Sequence, residues 1–525
     1  MNPGGNIFQE RWFWLSILCG GFVLFLTLWF GFSGDQALAA YTVWVWKHYH
    51  LPPYVGVFDH NFPGIFLINR AALEIAGDTI LGFRIFDACF QVVTLAAIYY
   101  VSRRLSQEKI AGFLAAVFYS LHYYSLGILD VFRPDDYAFS FMIMGVALCL
   151  VLEKRVCLRA VIAGLIAGFA FLIKPTYGLC WLVFGAWFLA GGIKEKSLKA
   201  WREEALFGVF CLAPAALVIF YYWRAGYIRD LYFATLWFNS NVYTQFSPLT
   251  FARLSGIFIN LLLDHPVNLL LSIFAVAYGL AGKKEFSDRK LFWVLLALVL
   301  IGLFSGLVQN KDYYYHRDPF WGFALIFAGA GGAWIGGRLS RSFRPVPGKA
   351  AAAVFYLAMI FFMLVSMESF WLQFMFKYSF RDLKSSYLAS ARVYPSNSLF
   401  DQYRAAEYLK PLLRPGDQAA YFGMWASIFQ WQAKAKSPSR FIYAQHLLLK
   451  NWRGMVFPVQ EQFIKEYQES IIRSRPRFFL MYDLFWKSDH RDFINAHFSD
   501  LKGFIAQHYK SRKKFGEIEI FERAD

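Results

Sequence analysis

The sequence predicts an α-helical polytopic membrane protein of about eleven transmembrane helices followed by a small external α/β domain. Three observations carry this reading. The chain of 525 residues is 58% hydrophobic, and its apolar residues gather in windows of about 20 residues with few charges, the length needed to cross about 30 Å of hydrocarbon. Lys and Arg collect in every second connection between those windows, the bias that marks cytoplasmic loops. Beyond about residue 375 the apolar windows stop and shorter helical and strand patterns alternate, as in a small mixed domain.

The expected spans are Trp12–Phe32, Ile80–Val101, Ile110–Gly127, Tyr137–Leu152, Ala160–Ile173, Tyr177–Gly192, Leu206–Trp223, Val267–Gly282, Leu291–Val308, Pro319–Gly337 and Ala350–Leu372. The formal net charge of +17 suggests a polyanion partner until its location is considered. It lies in Arg103, Arg104 and Lys109, then Lys154, Arg155 and Arg159, then Lys194, Lys196, Lys199 and Arg202, then Lys283, Lys284, Arg289 and Lys290, and last Arg338, Arg341, Arg344 and Lys349. The charge therefore reports orientation, with the N-terminus cytoplasmic and membrane lipids rather than nucleic acid as the surroundings. An odd number of spans puts the C-terminal domain outside, and the location expected is a bacterial-type cytoplasmic (inner) membrane. The six cysteines lie in or beside apolar spans and form neither a disulfide framework nor a CxxC pair. Ala37-Leu38-Ala39 resembles a cleavage site, but the apolar block before it exceeds the roughly 7 to 15 residues of a signal-peptide core.

This orientation sorts the polar residues. His48, His50, His60, His122, His265 and His316 all fall on the external side, with nearly every aspartate before the C-terminal domain. Chemistry is expected there. Gly34 to Asn69 opens with Asp35 and carries Asp59, His60 and a Pro63-Gly64 turn; too polar and Pro-broken to span, it is expected to lie along the bilayer surface as a short amphipathic element and to form one wall of an active site. Asp35 either caps the helix that starts near Ala37 or serves as a catalytic carboxylate. In Arg133-Pro134-Asp135-Asp136 the proline opens a helix, and adjacent side chains diverge by about 100°, so one of the two aspartates is expected as an N-terminal cap. Lys174, at the outer end of the fifth span, either snorkels or pairs with an anion. Arg224 to Pro266 is expected to be a long external lid or binding loop. Tyr313, Tyr314 and Tyr315 suit an aromatic belt, and Lys311, His316 and Arg317 around them suit an anion site.

In the C-terminal region helices are expected at Ser398–Leu413, Gln460–Ser474 and Phe493–His508, and strands at Ala419–Trp425, Phe441–Ala444, Phe478–Asp483 and Glu517–Glu522. The division expected is a membrane domain over 1–375 and an external α/β domain over 376–525. The polar residues of the second form no constellation, so catalytic groups are expected in the first.

In this order the pieces resemble the GT-C membrane glycosyltransferases, in the branch holding the protein O-mannosyltransferases and the lipid A aminoarabinose transferase (glycosyltransferase family 39-like). The carrying motifs are Gly34-Asp35 after the first span, the DHKPPG-like Asp59-His60-Asn61-Phe62-Pro63-Gly64, Arg133-Pro134-Asp135-Asp136, Leu172-Ile173-Lys174-Pro175, and Tyr314-Tyr315-His316 leading into Pro319. They cover most of residues 1–375. The resemblance implies a GT-C-like fold, a sugar donor carried on polyprenyl phosphate, a glycan, lipid or protein acceptor on the outer face of the membrane, and Asp35 as the catalytic carboxylate that acts as general base. Substrate binding falls to His60, Arg133, Asp135, Asp136, Lys174, Tyr315, His316 and Arg317. Asn61 stands where relatives commonly carry a lysine that helps hold the lipid phosphate, and Phe62 where they carry a proline. That duty is expected to pass to Lys174 and His316. No cofactor signature is present; His60 with an aspartate is a candidate for a divalent metal, without the spacing that two ligands on one element would show. A lipid-linked polysaccharide polymerase or ligase shares this topology and is the rival reading. A transporter is a further one, although the paired broken-helix repeats common in transporters are absent from the sequence.

Overall fold

The computed structural model describes residues 7–195, 198–282, 286, 288–342, 346–392, 398–423, 427–450, 453–482 and 491–524. Lys196, Lys283, Lys284 and Arg344 of the expected basic loops, and Trp425 and Asp483 at the ends of two expected strands, lie outside the described residues. The chain divides into two units, each assembled from three separate stretches. The first takes Met1–Leu28, Arg84–Tyr221 and Leu249–Ser379; the second takes Trp29–Phe83, Tyr222–Pro248 and Phe380–Asp525.

The first unit is helical and is built around helix Asp318–Ser342, which packs against helices Lys109–Ser125, Pro266–Leu280, Arg289–Val308 and Val346–Val365. Its residues from Asp318 through Ala333 are all buried. The run Gly329-Ala330-Gly331-Gly332 makes this approach possible. A Cβ on Gly329 would sit 2.6 Å from the carbonyl oxygen of Ala111, and one on Gly331 would sit 2.5 Å from that of Leu271. Small residues bring helices into contact where lipid leaves no hydrophobic drive between them.

Among the described residues, eight helices are long and apolar enough to cross a membrane, or nine if the pair Phe251–Asp264 and Pro266–Leu280, bent by 93°, counts as one span. The bend falls at Pro266, which has no N–H to continue a ladder and is preset to open the next helix. Two expected spans are shorter than that length: Ile110–Gly127 is the 17-residue helix Lys109–Ser125, and Tyr177–Gly192 is a 3₁₀ turn followed by the 16-residue helix Cys180–Glu195.

The expected loop between Arg224 and Pro266 is instead largely helical. It holds Ile228–Tyr232, a π-turn at Phe233–Trp237, Phe238–Asn241, a 3₁₀ turn at Tyr243–Phe246, and Phe251–Asp264. Its polar residues do not mark a loop because they bond back into the helix. Thr235 Oγ1 donates to Leu231 O (2.7 Å), Asn239 Nδ2 to Thr235 O (2.9 Å) and Asn241 Nδ2 to Trp237 O (2.9 Å).

In the second unit helix Gly34–Tyr49 packs on helices Pro63–Ala76 and Ser427–Ala433 and is buried from Gln36 through Val45. The amphipathic element expected here is thus a 16-residue helix whose Tyr41, Trp44 and Val45 pack inside. The C-terminal part carries a four-stranded sheet of β1 (Ala419–Phe422), β2 (Phe478–Tyr482), β3 (Tyr509–Phe515) and β4 (Ile518–Arg523), in the order β1-β2-β4-β3. β1 and β2 are parallel; β4 is antiparallel to both neighbours. Phe441–Ala444 is not a strand. It is a buried segment entering the short helix Gln445–Leu448, since a four-residue apolar run does not by itself distinguish a strand from another buried segment. β3 escapes a sequence reading because Lys510 to Lys514 are all exposed, a charged edge strand of the kind that resists edge-to-edge pairing. The helix expected over Ser398–Leu413 stops at Leu409, ahead of Pro411, and Phe493–His508 breaks into Arg491–His497 and Ser499–His508.

Candidate functional site

Each unit contains a cluster of the residues singled out above. In the second unit Asp35 is the second residue of helix Gly34–Tyr49, half-buried. Ser33 occupies the N-cap, and its N–H donates to Gln36 Oε1 at 3.0 Å. The N-cap N–H is thus satisfied by Gln36 and not by Asp35.

Asp59 is buried, and its carboxylate accepts from the backbone N–H of His60 (2.6 Å), the backbone N–H of Asn61 (3.2 Å) and the Asn61 side-chain amide, which reaches Oδ1 at 3.2 Å and Oδ2 at 3.1 Å. His60 Nδ1 lies 3.4 Å from Asp59 Oδ1 and 3.3 Å from His446 Nε2. One ligand atom from each of Asp59, His60 and His446 falls within 4.8 Å of the others, which among the described residues is the one such group of three. Burial pushes Asp59 up to about 6, opposed by the Asn61 and His60 donors and reinforced by the charge of Asp35. Burial pushes His446 down to about 4, opposed by the same Asp35 charge. His446 is therefore a neutral imidazole at neutral pH, the form that binds a metal. Two imidazoles and a carboxylate in this arrangement fit a divalent cation of the zinc type.

In the first unit Arg133 precedes helix Pro134–Val151, and Asp136 Oδ2 accepts its backbone N–H at 2.8 Å. Asp135 turns the other way, as neighbours on a helix must. Fully buried, it accepts from Lys174 Nζ at 2.7 and 3.0 Å and from the Tyr177 hydroxyl at 2.5 Å. Lys174 follows helix Val156–Ile173, and burial pushes its ammonium down while Asp135 opposes. The Tyr315 ring gathers these side chains: the Arg133 guanidinium lies 4.6 Å from its centroid, Lys174 Nζ 5.8 Å, and the His316 ring 4.4 Å. His316 Nδ1 is 3.3 Å from Lys311 O. Lys311 is itself buried and is pushed down to about 6, by burial first and then by Lys174 and Arg253.

Arg317 belongs to a different contact. Its guanidinium is held by Asp264 at 2.7 Å and by Asp312, and Trp321 Nε1 also donates to Asp264 (3.2 Å). Beside it runs a buried line from Asp318 Oδ1 to His122 Nε2 (2.8 Å) and from His122 Nδ1 to His265 Nε2 (2.9 Å). The candidate residues Arg133, Asp135, Lys174, Tyr315 and His316 thus come together in one unit, with Asp136 engaged as a cap and Arg317 as a brace. Asp35 and His60 lie in the other. Sequence reasoning missed His446 and Arg253: His446 meets His60 across 386 positions, and Arg253 sits in the stretch read as a loop.

Residues 59–223 match the family described as dolichyl-phosphate-mannose-protein mannosyltransferase. No curated protein matches the sequence. Among solved structures the fold is similar to ArnT from Cupriavidus metallidurans in the apo state, with a TM-score of 0.52, 12% identity and 97% of each chain covered. It is also similar to the archaeal oligosaccharyltransferase AglB from Archaeoglobus fulgidus, solved with an inhibitory peptide and a dolichol-phosphate, with a TM-score of 0.51, 11% identity, and 99% of this chain against 75% of that one. An Archaeoglobus fulgidus oligosaccharyltransferase solved with Zn and sulfate gives a TM-score of 0.50 at 13% identity, covering 97% of this chain and 73% of that one. At such identities the likeness is one of fold, and function is argued from the site. A match to the mannosyltransferase family model over residues 59–223, the fold shared with ArnT and AglB, and at least eight helices of spanning length among the described residues make this chain a multi-pass membrane protein similar to the protein mannosyltransferases and ArnT.

Proposed function

We propose that the protein transfers a sugar from a polyprenyl-phosphate donor to a lipid, glycan or protein acceptor on the outer face of the cytoplasmic membrane, with Asp35 as general base. The observation that carries this reading is the situation of Asp35. It is a half-buried carboxylate in the first turn of a helix whose N-cap N–H is taken by Gln36, and its charge acts on both Asp59 and His446. A carboxylate so placed, beside other ionisable groups, is positioned to accept a proton.

In the step proposed, the acceptor hydroxyl gives its proton to Asp35 as its oxygen bonds to the anomeric carbon. The bond from that carbon to the phosphate oxygen breaks, and the lipid phosphate leaves with the electron pair. Charge growing on the leaving phosphate calls for fixed donors, each worth about 2.7–4 kcal/mol where one has been removed from comparable sites. Lys174, Arg133 and His316 around Tyr315, with Lys311 beside His316, are the donors proposed for it, supported by the convergence of the first three on one ring. Asp59, His60 and His446 would hold a divalent metal, and when bound it would supply positive charge to an oxygen ligand. The alternating basic loops support a cytoplasmic N-terminus and an external C-terminal part.

Purified protein in vesicles, supplied with a polyprenyl-phosphate-linked sugar and lipid A, glycan or peptide acceptors, should yield glycosylated acceptor and one polyprenyl phosphate per transfer. Movement of the donor across the vesicle without bond cleavage would refute the reading in favour of a transporter.

A further inference from the structure

We infer that Asn61, Asn239 and Tyr243 are positioning residues that orient Asp59 and His60 for a divalent cation, and that Asn61 sets this loop to accept a cation instead of an anion. The inference rests on the reading of Asp59, His60 and His446 as a metal group. Its basis is the arrangement around those three side chains, all within the second unit.

The Asn61 amide reaches back two residues and touches both oxygens of Asp59, at 3.2 and 3.1 Å. With the backbone N–H groups of His60 and Asn61 also directed at Oδ1, the plane of the carboxylate is fixed, and three of these four contacts fall on Oδ1. Oδ2 receives the fourth alone, and a carboxylate oxygen has lone-pair capacity for more than one partner. An amide does this without adding charge. A lysine at 61 would set an ammonium beside the same carboxylate, where it would compete with a bound cation.

His60 is held from two directions. Its ring lies 4.0 Å, centroid to centroid, from that of Tyr243 at an interplanar angle of 41°, and its carbonyl oxygen accepts from Asn239 Nδ2 at 2.8 Å. Asn239 is anchored in turn on Thr235 O at 2.9 Å. The His446 ring is edged by Phe58 at 5.1 Å and by Phe238 at 5.9 Å, which direct Nε2 toward His60. Groups that hold the ligands of a metal commonly matter 10- to 100-fold, in order of magnitude, to its affinity.

The test is zinc affinity of the full-length, metal-stripped protein in detergent, measured by competition with a chromophoric chelator, with bound zinc counted by mass spectrometry. Wild-type protein is expected to bind one zinc per chain and His446→Ala none. Asn61→Ala and Tyr243→Leu should bind roughly 10- to 100-fold more weakly, Asn61→Lys more weakly still, and Tyr243→Phe, which keeps the ring contact, like wild type. Thermal unfolding of the metal-free variants separates lost affinity from lost fold; where Asn61→Ala unfolds, the Tyr243→Leu and Tyr243→Phe pair decides. Wild-type protein that binds no zinc overturns the metal reading itself. Zinc binding that is lost in His446→Ala but unchanged in Asn61→Lys, Asn61→Ala and Tyr243→Leu keeps the metal and overturns the positioning role.

Discussion

Replacing Asp35 with asparagine keeps the side chain's size and removes its charge and basicity. The cost to the fold should be small, because the helix start is held by the Ser33 N–H donating to Gln36 Oε1 and neither group is touched. What is lost is the attraction between a carboxylate and the helix N-terminus, about 0.3–1 kcal/mol at a partly exposed position. The neighbours respond in a known direction: with Asp35 neutral, Asp59 and His446 both hold their protons less tightly. Loss of a general base costs about 10²- to 10⁴-fold in rate. At about 1.4 kcal/mol per tenfold this adds roughly 3–5 kcal/mol to the barrier, well above the structural cost. The measurement is single-turnover release of polyprenyl phosphate from labelled donor, with donor binding and thermal unfolding recorded on the same preparations. Unchanged donor affinity and folding with a hundredfold slower turnover is the expected result. An Asp35→Asn protein that transfers sugar near the parental rate would refute the assignment.

Three further outcomes are expected. Lys174→Ala leaves the fully buried Asp135 without its cation, at a cost of about 3–5 kcal/mol, so its effect on donor use has to be read from Lys174→Met combined with Asp135→Asn, which removes both charges and keeps an acceptor for Tyr177. That pair should fold and show a raised donor KM; a parental KM would remove the lysine from the phosphate group. Lys311, pushed down to about 6, binds fewer protons folded than unfolded, so its contribution to stability grows as pH rises from about 6 toward the ordinary lysine range. Binding an anionic donor calls the proton back: a phosphodiester donor keeps its charge across this range, so donor affinity should fall by up to about tenfold per pH unit above 6, and Lys311→Met should flatten the profile. Reporter fusions after Gly348 and after Asp525 should give opposite signals, and the same signal at both would overturn the proposed orientation.

Much of the helical frame could be read from the sequence because it depends on local chemistry. Windows of apolar residues and the helix-opening Pro134 and Pro266 need no knowledge of distant contacts. The divergence of Asp135 and Asp136 was also local, since the angle between successive residues on a helix fixes it before any partner is known. β3 was hidden because an exposed edge strand has no buried face to impose alternation, and Lys510 to Lys514 read as a solvated charge run. The stretch from Ile228 to Asn241 was hidden for the opposite reason. Its Thr and Asn side chains look like loop residues until the carbonyls they bond to, one turn back in the same helix, are seen.

Asn61 shows how a local reading can be correct and still incomplete. From the sequence alone it is a deficit, a missing lysine beside a phosphate-handling motif, and that inference moved the cationic duty to Lys174 and His316. The fold gives Asn61 a partner the sequence does not show, since an amide nitrogen three bonds beyond its Cα reaches back to both oxygens of Asp59, a reach that depends on the turn taken at His60 and Asn61. The group it serves is completed by His446, whose place beside His60 is set by packing on Phe58 and Phe238. An altered residue in a motif therefore cannot be scored by its charge alone, and Asn61→Lys separates the two accounts. If the loop lacks only a cation, the lysine should strengthen donor binding; if the loop holds a cation, the same lysine should weaken zinc binding, and only a measurement of both affinities on one protein tells which charge the loop is built to hold.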